Sequence, residues 1–175
     1  MKTKGLAILA VLILFSLVAV AQDTPKAEVF GGYQYTRLSG GGTGANFNGW
    51  NGALTGNVNK WLGITTDFSG AYKTVSGVSV KQYTYTFGPV ISFRSNEKFT
   101  PYVHALFGGF HASGSAGGSS VSTNGFAMLI GGGVDAKLTP HLALRAVQFD
   151  WMSLHAEGTT ENSNVRISTG LVFRF

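Results

Sequence analysis

His111 and Ser113, two positions apart, are of the types that nucleophilic catalysis uses: an imidazole to take a proton and a hydroxyl to attack. Such a pair also needs a carboxylate to orient the imidazole. The next extended segment, Asn124–Leu138, offers only Asp135, near its far end and on the wrong level for His111. The first acidic residue at the same end as His111 is Glu157, which falls in a polar connection. Ser113 opens the run SGSAGGSSVST, where serine comes with loop composition. His104, His141 and His155 form no short metal-ligand spacing with His111 or with one another, and no cysteine is available to complete a site. Gly40–Gly42 and Gly44 precede no helix, so they read as a loop tip and not as a phosphate cradle. No catalytic, cofactor-binding or metal-binding residue is expected, and no cofactor.

A second set of residues carries chemistry of another kind. Glu28, Asp67, Lys73, Arg94, Asp135, Arg145, Asp150 and Arg166 are of both signs and are candidates for the inward side of alternating segments. Among them Glu28, Asp67, Arg94, Asp135, Arg145 and Arg166 are expected to form one interior charge network. Charges of both signs can neutralise one another in a confined space where an unpaired charge is costly. The alternative is a polar conduit, with the same residues as a selectivity ring.

The elements that would position these residues are clearest in NVRISTGLVFRF, where Val165, Ile167, Leu171, Phe173 and Phe175 recur on every second position, interrupted only by Thr169. Arg166, Ser168, Gly170, Val172 and Arg174 lie between them. Successive residues of a strand face opposite ways, so one face is greasy and the other mostly polar or small. A greasy exterior around a polar interior is the pattern of a transmembrane β-barrel.

Eight such segments can be laid out: Ala27–Leu38, Gly49–Lys60, Leu62–Lys73, Val80–Arg94, Tyr102–Ala112, Asn124–Leu138, Leu142–His155 and Val165–Phe175. Each is near the roughly 9–11 residues that a tilted strand needs to cross a bilayer. The connections alternate. Ser39–Asn48, Thr74–Ser79, Ser113–Thr123 and Ala156–Asn164 are rich in Gly, Ser, Thr and Asn and read as long outer loops. The joins at Lys60–Trp61, Ser95–Pro101 and Thr139–His141 are tighter, which places both chain termini on the periplasmic side. Inward glycines such as Gly88, Gly131 and Gly133 are expected to make room for larger side chains. YVHALFGGFHA (Tyr102–Ala112) is apolar on both faces and its orientation stays open. In Leu142–His155, Arg145 and Asp150 fall on opposite faces of a regular strand, and a β-bulge would bring both inside.

Residues 1–21 read as a secretory signal peptide. Lys2 and Lys4 precede an apolar run from Leu6 to Val20, and Ala19-Val20-Ala21 supplies the small residues of a cleavage site. The mature unit, residues 22–175, has the length of one domain. Of the 13 basic residues two leave with the leader, so 11 face 8 acidic ones, about +3. No Lys/Arg cluster occurs, which gives nucleic-acid binding no support. Charged residues make up only 12%, about half the usual share in a soluble domain, and glycine numbers 25. That composition favours a barrel over a secreted sandwich.

FGGYQY (Phe30–Tyr35) and STGLVFRF (Ser168–Phe175) resemble the opening and closing strands of the OmpA-type small outer-membrane barrels, the OmpX and Ail group of the porin-like superfamily. The resemblance implies an all-β fold, an eight-stranded antiparallel up-and-down transmembrane β-barrel in the bacterial outer membrane. It also implies that Leu171, Phe173 and Phe175 form an assembly signal for the barrel-assembly machinery. Expected partners are outer-membrane lipid and an extracellular ligand at the loops, with no nucleic acid and with the chain as a monomer. The leading functional expectation is a non-enzymatic barrel, structural or surface-interacting. A narrow porin is the alternative. His111 and Ser113 also resemble the pair of the PagL-like lipid A deacylases, which makes a lipid-modifying enzyme the second alternative. Deleting Phe175 should lower the amount of heat-modifiable, folded protein in the outer membrane while export continues. Undiminished folded protein on semi-native gels would show that Phe175 is no part of such a signal.

Overall fold

The computed structural model describes residues 24–40, 43–75, 78–117 and 119–175; the expected signal peptide and its cleavage site lie outside them. Eight strands follow one another: β1 (Ala27–Gly40), β2 (Thr43–Asn57), β3 (Leu62–Val75), β4 (Val78–Ser92), β5 (Phe99–Ala116), β6 (Ser119–Thr139), β7 (Leu142–Ala156) and β8 (Thr159–Arg174). Each pairs antiparallel with its neighbours in sequence, and β8 returns to β1 to close a barrel.

Alternation sorts the side chains. On β4, Phe87 is 63% exposed while the adjacent Thr86 is 4% exposed. Leu54, Ile64, Phe68, Phe149 and Leu171 point outward, and Asn51, Thr65, Asp67, Ser69 and Ser168 are buried within. The polarity of a soluble fold is inverted, as a lipid surround demands. The strand without a legible face is settled by packing: Tyr102, His104, Leu106 and Phe110 of β5 are buried inside, and Val103 and Phe107 face out. On β7 the pairing with β8 slips between Arg145 and Gln148, and Ala146 and Val147 both lie exposed. This β-bulge brings Arg145 and Asp150 to the same interior.

The outer loops differ from expectation. β1, β2, β5, β6 and β8 run on through most of Ser39–Asn48, Ser113–Thr123 and Ala156–Asn164 as paired hairpins. The β7–β8 turn is the two residues Glu157 and Gly158, with φ of 51° and 79°. Positive φ at both positions is what a type I′ hairpin needs. Beyond the bilayer water meets both strand faces, so the apolar alternation ends while the ladder continues. That is why Ser, Thr and Gly composition looks like a loop there. At the opposite end, Asn59 accepts from the backbone N–H groups of Trp61 and Leu62 at 2.9 and 2.8 Å, and Asn96 from those of Lys98 and Phe99 at 2.8 and 3.1 Å. Both are Asx turns. Exposed Trp61, Phe93, Phe99, Phe173 and Phe175 run right up to this end, so the lipid band sits here and the hairpins project. Projecting hairpins mark the extracellular side, and the end where β1 begins and β8 ends is periplasmic.

Closure depends on small residues. Gly32 on β1 faces Gly170 on β8, and a Cβ on Gly32 would lie 2.1 Å from the Thr169 carbonyl oxygen. The strands approach too closely there for any side chain. Below them Phe175 donates its N–H to the Ala27 carbonyl at 2.9 Å, and its carbonyl accepts from Lys26 and Ala27 at 2.6 and 3.2 Å. Of the glycines expected to make room, Gly133 lies against the Tyr102 ring and Gly131 against the Asp150 carboxylate, whereas Gly88 lies against the Ala105 backbone.

Leu171→Arg puts a charge on the lipid face near mid-membrane and should cost roughly 2–4 kcal/mol. Ser120→Arg, outward on the projecting part of β6, should cost roughly a tenth of that or less, since its side chain meets water. Denaturant titration after refolding into vesicles checks both. Equal penalties would place the lipid boundary wrongly.

Candidate functional site

Register carries the charged residues into the lumen at matched heights. Asp150 sits opposite Arg166 across β7 and β8, and the bulge sets Asp135 opposite Arg145 across β6 and β7. Arg166 is fully buried and forks onto Asp67 through two bonds of 2.7 and 3.2 Å, while its Nε donates to Asp150 at 2.8 Å. Asp67 belongs to β3, which is not a neighbour of β8, so this guanidinium ties opposite walls together. Arg145 forks onto Asp135 at 2.9 and 3.2 Å and donates to Gln148 Oε1 at 2.8 Å. Its guanidinium lies between the rings of Phe30 and Tyr102, 4.3 and 4.5 Å from their centroids.

Gln148 joins the two halves. It accepts from Arg145 and from the Tyr102 hydroxyl, each at 2.8 Å, and donates to Asp150 Oδ2 at 2.8 Å. His104 Nε2 meets Asp150 Oδ1 at 2.6 Å, and Asn51 donates to Asp67 at 2.9 Å. Toward the periplasm Glu28 lies 3.3 Å from Arg94 and 3.1 Å from Arg174, which also approaches Asp135 at 3.7 Å. Four carboxylates, Glu28, Asp67, Asp135 and Asp150, thus meet four guanidiniums, Arg94, Arg145, Arg166 and Arg174. Apolar side chains lie on either side: Leu106, Phe110, Leu129, Met152 and Leu154 in one cluster, and Phe30, Ala143 and Val172 in the other. A cavity of about 20 Å³ remains beside Asp67, His104, Arg145 and Gln148, room for one water.

The structure places Glu28, Asp67, Arg94, Asp135, Arg145 and Arg166 inside one lumen, and adds Asp150 and Arg174 to their contacts. Lys73 is not among them; its ammonium sits 5.9 Å from the centre of the Phe47 ring. His104, Tyr102 and Gln148 escaped sequence reasoning. β5 gives no face signal, and a lone histidine signals nothing until the barrel closes it onto Asp150. Arg174 was readable, because it shares parity with Arg166.

His111 lies elsewhere. It is on the outward side of β5, where Nδ1 meets Asn124 Oδ1 at 2.8 Å. Among the described residues no hydrogen bond joins His111 to Ser113, and Glu157 pairs instead with the Thr123 hydroxyl at 3.2 Å. No group of three or more His, Asp or Glu side chains placed to hold a metal ion occurs among the described residues. The outward girdle near this level is Tyr33 bonded to Asn48 at 2.6 Å and Trp50 bonded to Tyr72 at 3.0 Å, with Tyr72 edge-on to Tyr83. Aromatic side chains with a polar handle suit the membrane interface.

A closed sheet, apolar outside and filled with paired charges, is the architecture of a small membrane-spanning β-barrel protein. The chain belongs to the outer membrane protein beta-barrel domain family, whose model matches residues 7–175, and its place is the bacterial outer membrane. No curated protein matches it in sequence. Among solved structures it is similar to Neisserial surface protein A, with 19% identity, a TM-score of 0.74, and 86% of this chain and 97% of that one covered. It is also similar to Ail, the attachment invasion locus protein of Yersinia pestis, at 21% identity and TM-score 0.64, covering 87% and 99%. A third is the N-terminal barrel domain of Pseudomonas aeruginosa OprF, at 12% and 0.62, covering 86% and 98%. At these identities the likeness is one of fold.

Removing Asp67 by Asp67→Ala leaves Arg166 buried with half its partners and should cost about 3–5 kcal/mol. Arg166→Met strands two carboxylates and should cost about as much. In the double variant the costs should fall short of additivity by about 1–3 kcal/mol. Additive losses in a refolding cycle would mean that the two side chains do not interact.

Proposed function

We propose that this protein is a non-enzymatic, non-conducting outer-membrane barrel that acts through the surface its extracellular hairpins present. The observation that carries the reading is the filled lumen. Eight strands enclose an interior just wide enough for side chains. Here four ion-paired carboxylates, four guanidiniums and two apolar clusters occupy it, and the cavity beside Asp67 and Arg145 has space for about one water. Such a packing argues against a path for hydrated ions, and with it against a selectivity ring.

The hairpins supply the outward chemistry. Their projecting ends carry Ser, Thr, Asn and Gly, with exposed Arg37, Lys81 and Glu157. Such a surface suits hydrogen-bonded contact with another polar surface more than burial of an apolar anchor. Against deacylation stands the partner of His111: among the described residues its ring meets the Asn124 amide and no carboxylate.

Purified full-length protein in planar bilayers should show no steady conductance, and should release no fatty acid from lipid A. Stable ion-selective single-channel currents would replace the plug with a pore. Fatty-acid release that Ser113→Ala abolishes would make the protein an enzyme.

A further inference from the structure

Outside the lumen the charges are uneven. At the extracellular end Arg37, Lys73 and Lys81 stand against Glu157 and Glu161. At the periplasmic end Lys26, Lys60, Lys98 and Lys137 stand against Glu97 among the described residues. The lumen adds to this imbalance, for its periplasmic half sets Arg94, Arg145 and Arg174 against only Glu28 and Asp135. Arg94 reaches Glu28 through two contacts of 3.3 Å, and its Nε has no acceptor among the described residues.

Beside Arg94 opens a hollow of about 340 Å³ lined by Lys60, Trp61, Ser92, Phe93, Arg94 and Ser95, with Thr24 at its edge. Its walls are held together by the Ser92 N–H, which donates to the Trp61 carbonyl at 2.8 Å. Trp61 and Phe93 are 56% and 53% exposed, so part of the lining belongs to the outward aromatic surface. The volume lies within the range of small-ligand sites. Two cations and two exposed aromatic rings in one lining fit an amphiphile with an anionic head.

We propose that the periplasmic rim binds anionic phospholipid, with the headgroup phosphate between Lys60 and Arg94 and the glycerol and upper acyl carbons against Trp61 and Phe93. A zwitterionic headgroup brings an ammonium that offsets its phosphate, so a rim with surplus positive charge selects lipid of net negative charge. Lys26, Lys98 and Lys137 extend the same preference around the rim. The occupant is membrane lipid and not free phosphate, because the aromatic wall has no use for an inorganic ion.

The test uses full-length protein carrying Trp50→Phe and Trp151→Phe, which leaves Trp61 as the sole tryptophan, refolded into phosphatidylcholine vesicles. Phosphatidylglycerol or phosphatidylcholine with brominated chains is then added, and quenching of Trp61 is read. The brominated phosphatidylglycerol should bind roughly five- to tenfold better than the brominated phosphatidylcholine. Lys60→Gln should reduce that ratio to about twofold, while Lys81→Gln at the other rim leaves it unchanged. Native mass spectrometry of wild-type protein from mixed lipids supplies a readout without tryptophan changes and should show phosphatidylglycerol retained, less so with Lys60→Gln. Equal quenching by the two lipids, or equal losses in Lys60→Gln and Lys81→Gln, overturns the site.

Discussion

Within hydrocarbon a peptide group has no water to bond, and each N–H or C=O left without a partner costs several kcal/mol. Closing the sheet on itself meets that demand here: β1 bonds to β2 on one side and β8 on the other, leaving no edge. The other features follow from closure. Strand alternation sends one residue in two toward lipid, where Phe87, Phe107 and Leu171 belong, and the next toward an axis that eight strands leave narrow. Whatever faces that axis must pack, and whatever is charged there must be paired.

The interior meets the second requirement with few spare groups. Asp67 and Asp150 hold Arg166 from two directions, and Asp135 grips Arg145 between two rings. A buried ion pair is not by itself a source of stability, since desolvation offsets much of the attraction. Its value is geometric. The Asp67–Arg166 bond spans non-adjacent strands and fails if either slips by one residue, because the side chain would then face lipid. Register is thus fixed from within as well as by the ladder. Gln148, bonded to both halves, keeps the guanidinium-rich periplasmic side and the carboxylate-rich side in one network.

Legibility in the sequence followed how different the two faces of a strand are. β8 and β4 could be oriented from their residues alone, since Arg166 and Ser168 alternate with Ile167 and Leu171, and Thr84 and Thr86 with Tyr85 and Phe87. β5 could not, because Leu106 and Phe110 fill the lumen while Phe107 faces lipid, and both faces look greasy. The bulge on β7 was visible as a contradiction between Arg145 and Asp150. The hairpin extensions were hidden, because Ser119, Ser120 and Ser122 sit in water, where a paired strand and an irregular loop share a composition. Of the lumen's charged groups, the carboxylates and most guanidiniums showed by parity. The long-range partners His104 and Tyr102 did not, since only three-dimensional closure brings β5 against β7 side chains.

The glycine contact between β1 and β8 has a kinetic side. Gly32 and Gly170 come from opposite ends of the barrel sequence, and the β1–β8 ladder they belong to closes a longer loop than any hairpin does. It closes after the hairpins, which are local, have formed. Until then the molecule is an open sheet with two bare edges, each a template for another chain. At the Gly32–Gly170 position the final strands come together with no side chain to reorient. That shortens the interval in which a growing barrel is exposed to misassembly.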